Sequence, residues 1–279
     1  MKKFSAALIR IVVRDAVLGM LLFLPFLPRG AGAQQISDGG DESGASSSSG
    51  RSTARLAVDA PMFYSVERSG TLYRTADKSQ PYLSLRFQEP LSLIRNDGAW
   101  SYVETADGGR GYVASESISN VWIRVSKKSR TVYVYRGSEL VEEIPADLAY
   151  NFFSDKEKQG SALNPDHWRT PVGKFFIVAR NPASTYHRAF VLNYPSAEDA
   201  QRGLEDGLIT QSQYAAIVKA EEKVVPPPMN TALGGLIEIH GRGTGTRTSW
   251  TQGCIAIPDA DIDKLWQYVR VGTPVLIES

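Results

Sequence analysis

Cysteine is nearly missing from this chain: 279 residues hold one, Cys254, and only three histidines. One thiol rules out an internal disulfide, and no Cys/His run has zinc-site spacing, so no metal is expected. An excess of one charge is also lacking. The 31 basic and 30 acidic residues leave a formal net of +1, which argues against a nucleic-acid partner. No glycine loop followed by lysine offers a phosphate cradle, and no cofactor is expected. The N-terminal apolar run, Ala16 to Leu27, falls short of the roughly 20 residues of a membrane helix and contains Pro25.

What is present begins with an export signal. Lys2, Lys3, Arg10 and Arg14 precede that apolar run, and Ala31-Gly32-Ala33 supplies small residues for cleavage. Residues 1–33 therefore read as a signal peptide, with no transmembrane anchor left after cleavage and a destination in the periplasm or cell envelope. No cysteine follows the cleavage site, which argues against a lipid anchor. Removal takes five basic residues and one acidic, turning the net charge from +1 to −3. Residues 34–55 are Ser- and Gly-rich and read as a disordered linker.

The rest predicts a mainly β protein. Residues 56–120 alternate β-branched and aromatic residues with polar ones around the turns Asn96-Asp97-Gly98 and Asp107-Gly108-Gly109, predicting about five short strands in a small barrel. "GAWSYV" and "GYVASESI" resemble the bacterial Src-homology-3-like module, which implies a wall-binding role. Trp100, Tyr102 and Tyr112 are there either ligand platforms or barrel filling.

From Val121 on, two strands are expected around "YRGSEL", followed by "KFFIVAR", "RAFVLNYP", "GLIEIHG", "GCIAI" and "TPVLIE". An inserted helical pair, within residues 196–235, is announced by Ser196 with Asp199 three residues on and by Thr210 as a second N-cap. A further helix follows the cysteine. Ile262, Leu265, Trp266 and Val269 fall on one of its faces, and Gly272 suits its C-terminal cap.

An unpaired thiol in an exported protein is a candidate nucleophile. A free thiol ionises near 8.5, roughly, so it needs a base, and His240 in "LIEIHG" can serve. Gly253 lets the backbone come close to a substrate, and the amides of Gly253 and Cys254 can face a developing oxyanion. These parts suit acyl transfer through a thioester.

"TPVGKFFIV", "IEIHG" and "SWTQGCIAI" resemble the L,D-transpeptidase catalytic domain family, over residues 121–279. The resemblance implies a β-sandwich-like fold acting on a peptidoglycan stem peptide. Cys254 would be the nucleophile and His240 the base. Gly253 would support the oxyanion, and the Gly241 backbone would help orient the imidazole. Gln252 stands where many members have histidine, and Ala256 where they have arginine, so the arginine's role does not carry over. His187, Arg242, Trp250 and Gln252 are candidate substrate contacts.

Two rivals stand beside transfer to an amine. One is hydrolysis of the same linkage, including release of a wall-attached protein. The other is a wall-binding scaffold without catalysis.

Overall fold

The computed structural model describes residues 61–279. The expected export segment, the linker and the first residues of the expected barrel lie outside the described residues. Among the described residues no helix is long and apolar enough to cross a membrane.

The chain is mainly β. Seven strands form the first sheet: β1 (Met62–Ser65), β2 (Ser69–Tyr73), β3 (Pro81–Arg86), β4 (Pro90–Asp97), β5 (Trp100–Thr105), β6 (Arg110–Ala114) and β7 (Ile118–Ser119). Their order is β3-β2-β6-β5-β4-β1-β7, two strands more than the turn signals predicted. Leu72, Leu85, Leu91, Val103, Val113 and Ile118 fill its core. Tyr73 meets Trp100 edge-on, and Tyr102 packs on Tyr112, so these rings spend part of their surface on each other.

The second sheet carries the site. Its early members are β8 (Val121–Ser126), β9 (Thr131–Arg136) and β10 (Glu139–Pro145). Strict alternation drives β8: Val121, Ile123 and Val125 are buried, while Trp122, Arg124 and Ser126 are only partly so. The sequence suggested two strands here; there are three, because Lys127–Arg130 makes a second turn ahead of the one at Gly137. A short pair follows, β11 (Leu148–Ala149) with β15 (Ser249–Thr251). The remaining strands are β12 (Gly173–Ser184), β13 (His187–Leu192), β14 (Glu238–His240), β16 (Ile255–Ala256) and β17 (Pro274–Glu278).

The order is β10-β9-β8-β17-β12-β13-β14-β16. Strand β12 joins its two halves. Gly173 to Phe176 pair with β17, and Ile177 to Ser184 pair with β13 through two register shifts. Bulges raise local twist, so this long strand turns the sheet and lets its parts close over one core. Ile123, Ile177, Phe190, Ile239, Ile255 and Val275 belong to that core.

Helices α1 (Ala197–Glu205) and α2 (Gln211–Glu222) fill the insertion, each opened by the capping box expected at Ser196 and Thr210. Helix α3 (Asp259–Leu265) buries Ile262 and Leu265 but stops earlier than the sequence suggested. Gly272 is therefore not its cap. It lies in the turn before β17 with φ +93°, where an added Cβ would stand 2.9 Å from the Phe87 ring.

Candidate active site

Strands β14 and β16 run parallel, with Ile239 opposite Ile255 and His240 opposite Ala256. Side chains alternate along a strand, so Glu238 and His240 share one face with Ala256 and with Cys254 just before β16. The histidine and cysteine segments, 14 residues apart in the chain, become neighbours through this pairing.

The turn into Cys254 is tightly specified. Gly253 has φ +142°, and a Cβ there would lie 2.6 Å from Ile237 Cδ1 and 3.0 Å from the Arg169 carbonyl, so only glycine fits. Thr251 Oγ1 donates to the Cys254 carbonyl at 2.6 Å, locking the turn. Cys254 is half-buried, and its Sγ donates to the Leu236 carbonyl at 3.4 Å. Burial pushes the thiol up to about 12, and the Glu238 carboxylate adds to this. The Glu238 backbone N–H and the Lys156 ammonium pull the other way.

His240 is 1% exposed. Its Nδ1 is 2.7 Å from the Gly241 carbonyl. A carbonyl only accepts, so Nδ1 carries the proton and Nε2 keeps a lone pair. Tyr186 stacks on the ring at 4.4 Å, and Trp250 meets it edge-on at 5.9 Å. Burial lowers the imidazole pKa, while the Gly241 contact and the Asp147 charge oppose that.

Asp147 organises the loop between β14 and β15. Its carboxylate accepts from the backbone of Thr244 at 2.7 Å and Thr248 at 2.8 Å, and from Trp250 Nε1 at 2.9 Å. Burial alone would raise this carboxyl, but these donors outweigh it and hold it below the usual carboxylate range.

The remaining candidates separate. Gly241 turns its carbonyl to His240 and gives its N–H to the Arg188 carbonyl at 3.0 Å, so that N–H is spent in the sheet and does not serve an oxyanion. The Gly253 N–H has only a long contact, 3.4 Å, to Thr251 Oγ1. Trp250 is 40% exposed beside His240. His187 gives its Nε2 to Asp263 of α3 at 2.8 Å. Arg242 and Gln252 are exposed. Arg242 anchors by its backbone N–H to Asp259 at 2.6 Å.

Sequence reasoning missed Asp147, Lys156, Tyr186 and Glu238. The alternation in "LIEIHG" already sets Glu238 on the face of His240. No sequence signal marks Asp147 or Lys156, because both depend on loops meeting in space. Among the described residues no group of three or more His, Cys, Asp or Glu could hold a metal.

No curated protein matches the chain. Among solved structures, Bd1075 of Bdellovibrio bacteriovorus is 24% identical over 57% of this chain and 48% of its own, with a TM-score of 0.37. The helical cell shape determining protein Pgp2 of Campylobacter jejuni is 23% identical over 57% and 47%, with a TM-score of 0.37. An L,D-transpeptidase of Xylanimonas cellulosilytica is 14% identical over 57% and 61%, with a TM-score of 0.35. The matched part thus spans about half the length of the first of these relatives. The L,D-transpeptidase catalytic domain model, YkuD, matches residues 120–277, and with more than half of its length matched the chain belongs to that family.

Proposed function

We propose that this protein is an exported enzyme that remodels peptidoglycan, with Cys254 forming a thioester to a stem peptide and passing the acyl group to an amine. The observation that carries the reading is the shared face of Cys254 and His240, with the histidine proton held on Nδ1 by the Gly241 carbonyl. The family match supports the substrate class. The basic N-terminal segment supports export.

The chemistry follows from the two pKa directions. A thiol near 12 stays protonated at rest, and an imidazole held below its ordinary value stays neutral. The nucleophile is therefore generated during attack. His240 Nε2 takes the thiol proton as sulfur attacks the carbonyl carbon of the donor peptide. The carbonyl oxygen gains negative charge, which the amides at Gly253 and Cys254 stabilise. The bond to the donor's terminal residue then breaks, and that residue's amine leaves with the proton from His240. An acceptor amine attacks the thioester, gives its proton to His240, and regenerates the thiol. Water in place of the amine yields the free acid. Tyr186 and Trp250 shield the imidazole, favouring the amine.

The test uses a defined disaccharide-tetrapeptide, with and without an amine acceptor, analysed by mass spectrometry. A cross-linked or exchanged product is expected with the amine. Free tripeptide alone would make the protein a hydrolase. Cys254→Ala should abolish turnover while leaving the circular dichroism spectrum unchanged; a purified variant with full activity would overturn the assignment.

A further inference from the structure

Lys156 lies in "SDKEKQG", a stretch that reads as a solvated loop, yet it is only 4% exposed. Its Nζ donates to one carbonyl, that of His167, at a long 3.5 Å. The contrast is Lys127, also buried, whose Nζ makes two bonds of 2.7 Å to the Ser154 and Thr170 carbonyls. Lys127 fastens the loop; Lys156 is buried with far less in return. A buried ammonium with so weak a partner needs an anion to compensate it.

The neighbour is the nucleophile turn. A Cβ placed on Gly253 would stand 3.8 Å from Lys156 Nζ, so the absence of a side chain there leaves the ammonium beside the residue preceding Cys254. On β14, the Glu238 backbone N–H meets the Cys254 thiol, and His240 pairs with Ala256, two residues on from Cys254. Arg169 is a further cation near Lys156, Asp155 Oδ1 accepts the Lys156 backbone N–H at 2.7 Å, and Glu157, Asp199, Arg202 and Asp206 line the same cavity as Lys156. Cys254 thus feels a carboxyl that opposes its ionisation and an ammonium that favours it.

We propose that Lys156 is a positioning residue for Cys254, its buried ammonium stabilising the thiolate as the proton leaves and offsetting the Glu238 carboxylate. The proposal rests on the reading of Cys254 as nucleophile. Electrostatics agree with the geometry. Burial holds the lysine down to about 8, with the Cys254 charge opposing that shift, and Lys156 in turn lowers the thiol.

The lysine's own titration supplies the test. Iodoacetamide alkylation, in which the thiolate displaces iodide to form an S–C bond, reports thiolate reactivity without substrate. At pH 7 Lys156 is charged, and Lys156→Met should slow alkylation about tenfold, as expected for loss of one close opposite charge. Above its pKa the wild-type lysine is neutral, so the two rates should converge towards pH 10. Glu238 and His240 titrate in both proteins and cancel in the ratio. Lys156→Gln, which keeps a donor for the His167 carbonyl, should behave like Lys156→Met, and it serves if the Met variant does not fold. A folded Met or Gln variant with the wild-type rate at pH 7, or a rate ratio constant from pH 7 to pH 10, would overturn the proposal. If Cys254→Ala remains active, the nucleophile assignment itself fails. If Cys254→Ala is inactive and the alkylation ratio is flat, only the role of Lys156 fails.

Discussion

At the scale of single residues, the site is governed by what burial does to three groups. His240 is kept neutral, Cys254 is kept protonated, and Glu238 is raised to about 7 by desolvation. His240→Ala should slow acylation by the donor tetrapeptide at pH 7 by roughly a hundredfold or more, the usual scale of a lost general base. The residual rate should then keep climbing with pH through pH 10, because an unaided thiol near 12 is still ionising. Mass spectrometry of the adduct over time reads this, and a low rate that is flat with pH would make His240 structural. Glu238 makes a stability prediction. Between its ordinary value of 4.5 and about 7 the unfolded chain has released the proton and the folded chain still holds it. Stability therefore falls as pH rises through that window. Glu238→Gln removes the cost and should raise urea-unfolding stability at pH 8 by about 3 kcal/mol, with little change at pH 4. An equal gain at both pH values would contradict the assignment.

At the scale of elements, the helical insertion is tied down on several sides. It has a small core of its own, from Ala200, Ile209, Ile217 and Leu233. Asn193 Nδ2 donates to Glu221 at 2.9 Å, the Tyr194 hydroxyl donates to the Leu233 carbonyl at 3.2 Å, and the Gln159 N–H to the Ala232 carbonyl at 2.8 Å. Its return path ends at Leu236, whose carbonyl accepts the Cys254 thiol. These contacts favour an insertion fixed against the sheet over a freely swinging lid. Replacing residues 196–223 with a short Gly-Ser linker should loosen Leu236 and raise the share of hydrolysis over amine transfer. Chromatography of the products, on a variant shown to be folded, reads the ratio; no change would leave the insertion as packing alone. Both capping boxes were legible because they are local, a side chain reaching a backbone three residues away. The early end of α3 was not, because the apolar spacing continues past Leu265 while the backbone turns to bury Val269 by another route.

At the scale of the whole molecule, residues 56–120 read from the sequence as a small wall-binding barrel. Its sheet is joined to the second one by several contacts. The Tyr64 hydroxyl donates to the Val121 carbonyl at 2.5 Å, Gln88 Nε2 to the Gly272 carbonyl at 2.9 Å, and Arg68 to the Val224 carbonyl at 2.8 Å at the end of the insertion. Phe87 packs edge-on against Phe176 at 5.2 Å. Gly272→Ala would strain a positive φ and press a Cβ on Phe87, so it should destabilise the protein by about 1–3 kcal/mol. Calorimetry should show one transition moved to lower temperature. Two separate transitions would mean that the sheets unfold independently.

By itself the sequence determined whatever depends on neighbours along the chain. That includes the alternation that makes strands, the caps that start α1 and α2, and the presence of one thiol with one histidine strand nearby. Tertiary structure alone decided which charges surround that thiol and that histidine. Asp147, Lys156 and Glu238 come from three segments, and their pKa values depend on water being excluded when those segments meet. Desolvation is a property of the packed molecule, so no reading of "DKEKQG" as a charged loop could show that one of its lysines is buried beside the turn that carries Cys254.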